Sequence, residues 1–290
     1  MPIQMPTQLE RFREMAASYD VLLCDVWGVV HDGLRAYPGA NEVLPRFRSQ
    51  GGTVVLVSNA PMTSEAVANL LDQKGVSREA WDHIVTSGDI ALTHIAERGY
   101  RRIHGVGPLP RDSSFFERLP ASVPLAEAEC IACTGLLDDY NETVDDYRTL
   151  INEGLAHGLP FVCANPDLAV HVGERLLPCA GAIADFYERS GGAVFWAGKP
   201  HPIAYATGLK AAERLRGRPV LLSRVLGIGD AIRTDLASAV GAGVDALFIA
   251  GGLHRDEIID HNGSLDPAAI AQALEAAGMP AKAVMHKLAW

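Results

Sequence analysis

The chain has no run of apolar residues approaching the roughly 18 needed to cross a bilayer, and no block of lysine and arginine. It carries 35 acidic against 25 basic residues, a formal net charge of −10. A nucleic-acid-binding protein usually shows a basic patch, so neither nucleic acid nor membrane is expected as a partner. Residues 1–15 include Glu10, Arg11, Arg13 and Glu14 and hold no apolar h-region, so they do not read as a secretory signal. There are only five cysteines, an odd number that does not make a disulfide framework. A reducing, cytoplasmic location is the expectation. Neither a Walker A sequence nor G-x-G-x-x-G is present, so P-loop and dinucleotide readings have no support. Internal repeats and low-complexity segments are also missing.

Cys130-Ile131-Ala132-Cys133 is formally a C-x-x-C. A redox pair needs its first thiol at a helix N-terminus. These two lie inside an apolar, strand-like segment and would face opposite sides of it. Buried packing is the better reading, and a second cysteine pair for a metal is lacking.

What is present is alternation. With 290 residues, 48% of them hydrophobic, the chain can bury a substantial core in one large or two modest domains. Residues 7–18 read as a helix and 20–25 as a first strand. Residues 39–50 read as a helix closed by Gly51-Gly52. Residues 53–58 form a β-branched strand, and 63–74 a helix ending at Gly75. Further on, 143–157 read as a helix, 161–164 as a strand, and 193–196 as a short strand before a helix near Pro202. Residues 225–228 and 244–249 complete the strands. Strand–helix alternation of this kind predicts an α/β fold, with a parallel sheet covered on both faces.

Four of these strands stop at polar residues suited to one phosphate. Val21-Leu22-Leu23-Cys24 delivers Asp25, a possible nucleophile. The second strand ends in Ser58-Asn59, a hydroxyl and an amide able to bind phosphate oxygens. The strand before Gly198 leads to Lys199, a fixed positive charge. The strand at 225–228 ends in Gly229-Asp230, with Asp235 five residues on. Carboxylates suit a hard cation such as Mg²⁺. In one parallel sheet all four ends would share a side and converge. Phosphoryl transfer is mostly positioning and charge neutralisation, and a carboxylate attacking a phosphate dianion needs a cation between them. Gly28 would let the backbone turn toward the phosphate.

This set resembles the haloacid dehalogenase (HAD) superfamily, and more closely its class IIA branch of NagD-like and pyridoxal-phosphate-phosphatase-like proteins. The residues that carry the resemblance are Asp25-Val26-Trp27-Gly28-Val29, Val57-Ser58-Asn59, Gly198-Lys199-Pro200, and Gly229-Asp230 with Asp235. Pro38-Gly39-Ala40 and Asn165-Pro166-Asp167 are also similar to that branch. The resemblance implies a Rossmann-like core of residues 1–83 and 193–290, with an inserted α/β cap of the C2 type over 84–192. It implies Asp25 as nucleophile, and Mg²⁺ held by Asp25, the backbone carbonyl of Trp27 and Asp230, supported by Asp235. Ser58, Asn59 and Lys199 would bind the phosphoryl group. The implied substrate is a small phosphorylated metabolite, and a cap-mediated homodimer would be unsurprising.

One position departs from that pattern. Family phosphatases usually carry an aspartate two residues after the nucleophile, and here that residue is Trp27. Indole has no proton to exchange near neutral pH. Another group could substitute: His31, Asp32, or Asp167 from the cap side. His31 titrates in the useful range when unperturbed, although His31 and Asp32 could simply shape a turn before Gly33. Alternatively, the substrate's leaving group needs no proton. In a third reading the protein transfers the phosphoryl group elsewhere or only binds a phosphorylated ligand. Dehalogenation would leave Asp230 and Asp235 without a role. Asn165 and Asp167 either form a turn around Pro166 or touch substrate. Asp235 could also serve a helix start. His201, His254 and His261 have no ligand-like spacing.

Overall fold

The computed structural model describes residues 4–172 and 175–290. Its strands are β1 (Thr7–Gln8), β2 (Val21–Cys24), β3 (Thr53–Ser58), β4 (His83–Thr86), β5 (Ile103–Val106), β6 (Cys130–Cys133), β7 (Phe161–Cys163), β8 (Ala169–Val172), β9 (Arg175–Pro178), β10 (Val194–Trp196), β11 (Val225–Gly229), β12 (Asp245–Ile249) and β13 (Ala283–Met285). The chain divides into two compact units. One comprises the residues up to Ser58 together with Ala68–Val85 and Ala204–Trp290; the other comprises Asn59–Val67 and Thr86–Ile203.

In the first unit, continuous apolar runs become central strands because both of their faces are covered. Val21, Leu22, Leu23 and Cys24 are all fully buried, as are Val54, Val55 and Leu56 beside them. Each fully buried Leu or Val contributes about 1.5–3 kcal/mol. The sheet runs in the order β1-β13-β12-β11-β2-β3-β4. The pairings from β1 through to β3 are all parallel. Register places Ile228 against Cys24 and Cys24 against Leu56. The C-terminal ends of β11, β2 and β3 therefore lie on one edge, which is where Asp230, Asp25 and Ser58 occur.

The second unit has its own four-stranded sheet, ordered β10-β7-β6-β5. All three of its pairings are parallel. A separate antiparallel hairpin pairs β8 with β9. Its core includes Ile131, Cys133, Phe161, Cys163, Ile183 and Tyr187, and the Tyr187 hydroxyl donates to Leu159 O at 2.6 Å. All five cysteines are free and buried. Burial pushes the Cys130 and Cys133 thiols up to about 12, so this C-x-x-C packs rather than reacts.

Two sequence expectations are corrected. Residues 7–18 are not one helix: Thr7 and Gln8 pair with Ala283 and Val284, and only Arg13–Ala16 is helical. An open sheet edge more than 270 residues away captures the segment, a tertiary effect that outweighs local propensity. The strand leading to Lys199 does not join the first sheet. Val194, Phe195 and Trp196 pair with Phe161, Val162 and Cys163, so the four strand ends belong to two sheets, not one. Val194 and Trp196 pack on the second unit's core, which claims them.

Candidate active site

In the first unit, Asp25, Asp230 and Asp235 are buried, and one ligand oxygen of each lies within 4.8 Å of the others. Three carboxylates this close are held by the backbone around them. Asp25 N–H donates to Ile228 O at 2.8 Å, continuing the β2–β11 ladder past the strand end. Asp230 Oδ2 accepts from Leu253 N–H at 2.7 Å. Asp235 Oδ2 accepts from Ala231 N–H at 3.1 Å, across a wide π-type turn at Ile232–Leu236. Gly28 has φ +81°, and a Cβ there or at Gly252 would overlap the Asp230 carboxylate. A Cβ on Gly229 would likewise overlap Asp235. The donor set is oxygen-only, hard and concentrated, which fits a small divalent cation.

The chain after Asp25 folds into a tight structure. Val26 O accepts from both Val30 and His31 N–H, and Gly28 N–H donates to His31 O at 2.9 Å. Trp27 pairs with His31, and His31 with Ala36. His31 is buried, and its Nδ1 accepts from Gly33 N–H at 2.9 Å. Burial, reinforced by the Lys74 charge and opposed by Asp32, pushes its pKa down to about 4. Lys74 Nζ itself donates to Gly33 O. Asp32 Oδ1 accepts from Leu34 and Arg35 N–H at 2.9 and 2.8 Å. These bonds favour the turn-shaping reading of His31 and Asp32 over a proton-exchange role. Trp27 remains 46% exposed.

In the second unit, Lys199 is buried at the end of β10 and Asn165 is buried beyond β7. Asn59 ties the two ends together. Its Nδ2 donates to Asp167 Oδ1 at 2.9 Å and to Lys199 O at 3.0 Å. Its Oδ1 accepts from Lys199 N–H at 2.8 Å and Ser87 Oγ at 3.3 Å. That uses both donors and both acceptor sites of a primary amide. The Asn59 side chain is therefore a clamp inside this unit, with no bonding capacity left for a phosphate oxygen. Asn165 Oδ1 accepts from Asp167 N–H at 3.2 Å, the turn around Pro166.

The first sheet thus gathers Asp25, Trp27, Ser58, Asp230 and Asp235 along one edge, and the second unit gathers Asn59, Asn165, Asp167 and Lys199. Sequence reasoning missed Ser87, Lys74 and the Leu253 N–H. Gly251-Gly252 was the available signal for the last, because a glycine pair after a strand marks close backbone approach.

Family models match in two places: residues 22–115 match a haloacid dehalogenase-like hydrolase model and 196–277 a HAD-hydrolase-like model. A solved haloacid dehalogenase-like hydrolase from Brucella suis 1330 is 41% identical, with a TM-score of 0.83 over 97% of this chain and 99% of that one. The chain belongs to the haloacid dehalogenase-like hydrolase family. Within that family it is 26% identical to the ribonucleotide monophosphatase NagD of Escherichia coli K12, over 82% of this chain and 90% of NagD. It is 25% identical to an acid sugar phosphatase of Staphylococcus saprophyticus, over 84% of this chain and 91% of that protein. The NagD-like resemblance read from the motifs therefore extends over most of the chain. Among the described residues, no helix is long and apolar enough to cross a membrane.

Proposed function

We propose that this protein is a Mg²⁺-dependent phosphatase of a small phosphorylated metabolite, working through an aspartyl-phosphate at Asp25. The observation that carries this reading is the buried carboxylate triad of Asp25, Asp230 and Asp235 at a parallel-sheet edge. The phosphatase names of the curated relatives support it.

Asp25, Asp230 and the Trp27 carbonyl would hold Mg²⁺, with Asp235 in support, and the ion would neutralise charge between the nucleophile and a phosphate dianion. Asp25 attacks phosphorus, the bond to the leaving oxygen breaks, and that oxygen departs with the electron pair. Water then attacks the aspartyl-phosphate, restoring Asp25 and releasing inorganic phosphate. Lys199 offsets phosphoryl charge, and Ser58 offers a hydroxyl. In this scheme Asn59 positions Lys199 through its backbone. Asn165 and Asp167 shape the loop that Asn59 grips, and the inserted unit acts as the cap that selects substrate. The five buried free thiols suit a reducing, cytoplasmic setting.

A second reading is favoured by Trp27 and His31. Trp27 cannot supply a proton, and His31, with its pKa near 4, is neutral at pH 7. Missing general acid–base help costs roughly 10²- to 10⁴-fold, which leaves room for a phosphotransferase or a phosphate-ligand-binding protein. Phosphate release from acetyl phosphate and p-nitrophenyl phosphate decides between them, measured with Mg²⁺ and with EDTA, for wild type and Asp25→Asn. Mg²⁺-dependent release that Asp25→Asn abolishes establishes the phosphatase. Release equal in the two proteins rejects it.

A further inference from the structure

We infer that Trp27 is a rigid stacking platform for the leaving group, and that the preferred substrates are phosphate monoesters of phenols. This rests on the phosphatase reading and names its substrate class.

Trp27 follows Asp25 by two residues, so their Cα atoms are at most about 7 Å apart. Both residues stand just past the same end of β2, the edge at which the leaving group of a phosphoryl substrate on Asp25 would lie. The ring is fixed before any ligand arrives. It packs over Gly33, where a Cβ would sit 2.8 Å from Cζ2. It forms a T-shaped contact with the His31 imidazole, at 5.3 Å between centroids and 67° between planes. The turn beneath is tied by His31 to Gly33 N–H, Asp32 to two further N–H groups, and Lys74 to Gly33 O. Gly28 on its other side is locked against Asp230. An aromatic ring so braced, yet 46% exposed, presents apolar area at little ordering cost.

The chemistry selects the same class. Indole offers no proton to the departing oxygen, and the His31 imidazole is engaged at Nδ1 by Gly33 N–H. A phenolate leaves without protonation far more readily than an alkoxide. Its ring is also the part of the substrate that a tryptophan face attracts, and an aromatic pair adds about 0.5–1.5 kcal/mol beyond area burial. Stacking and leaving-group acidity thus converge on one structure, an aryl ester.

The test separates stacking from leaving ability with two good leaving groups, one aromatic and one not. The kcat/KM of p-nitrophenyl phosphate and of acetyl phosphate is measured with Mg²⁺ for wild type, Trp27→Phe and Trp27→Leu. The aryl-to-acetyl ratio is expected to fall about tenfold in Trp27→Leu and less than threefold in Trp27→Phe, with the aryl loss mainly in KM. An unchanged ratio in Trp27→Leu overturns the platform while leaving the phosphatase intact. An equal fall in both variants also overturns it, because a phenyl ring should stack. Absence of wild-type turnover with both substrates overturns the phosphatase reading and this inference with it.

Discussion

Gly28 and Asp230 occupy adjoining space so fully that a methyl group on one would overlap the carboxylate of the other. Gly28 also has φ +81°, a region L side chains rarely adopt. Gly28→Ala therefore strains the backbone by about 1 kcal/mol and displaces Asp230 from Asp25 and Asp235. A folded Gly28→Ala protein should lose Mg²⁺ affinity by at least tenfold and most of its turnover. Wild type should gain thermal stability with Mg²⁺, since a ligand held only by the folded state stabilises it, and Gly28→Ala should gain little. A thermal scan of both proteins with Mg²⁺ and with EDTA checks this.

His31 gives stability a defined pH dependence. Its folded pKa of about 4 lies below the ordinary 6.5. The unfolded chain therefore takes up a proton before the folded one does. The contribution is complete above pH 6.5 and is lost as pH falls from 6.5 toward 4, amounting to about 3 kcal/mol over that window. His31→Asn can keep an acceptor for Gly33 N–H without titrating there. Urea unfolding at pH 5 and pH 7.5 should show wild type weakening at pH 5 by about 2 kcal/mol more than His31→Asn. Equal losses would mean that other groups control the acid limb.

The carboxylates of the first unit were legible in the sequence because apolar runs ending on Asp25 and Gly229-Asp230 announce both strand and sheet edge. The lysine was legible as a residue but misplaced as to its sheet. Val194–Trp196 is three residues long, and nothing in so short a strand records which neighbour it pairs with. The Asn59 clamp was illegible for a different reason. Its partners Asp167 and Lys199 lie 108 and 140 residues away, and an asparagine after a strand looks the same whether its amide faces ligand or protein. His31 read as a candidate acid because its unperturbed pKa is suitable. It is buried within a turn that Lys74, a residue distant in sequence, also binds through Gly33 O.

Placing a carboxylic acid at position 27 should widen the substrate range. Trp27→Asp supplies a group able to protonate the leaving oxygen. Turnover of an alkyl phosphate should rise by roughly 10-fold or more, within the 10²–10⁴ that general acid catalysis typically contributes. The dependence of rate on leaving-group pKa should flatten. Rates for alkyl, phenyl and p-nitrophenyl phosphates, compared between wild type and Trp27→Asp, provide the measurement. An unchanged slope would indicate that a proton donor already operates in the wild type.

Asn59 should matter more to stability than to any direct contact with phosphate. Asn59→Ala removes partners from the Lys199 N–H, the Lys199 carbonyl, one Asp167 oxygen and Ser87 Oγ in a single step. Gly198 packs so closely here that a Cβ on it would overlap Ser87 Oγ and Asn59 Oδ1, so the neighbours have little room to re-pair. Each buried polar group left unsatisfied costs about 1–3 kcal/mol, and partial relaxation should bring the total to about 2–4 kcal/mol in denaturant titration. Asn59→Asp has the same shape but replaces two donors with acceptors facing Asp167 and Lys199 O, so it should be no better than alanine. If Asn59 instead bound phosphate directly, Asn59→Ala would raise the inhibition constant of inorganic phosphate while leaving the unfolding midpoint near that of wild type. The clamp requires the opposite order, with the larger change in the unfolding midpoint.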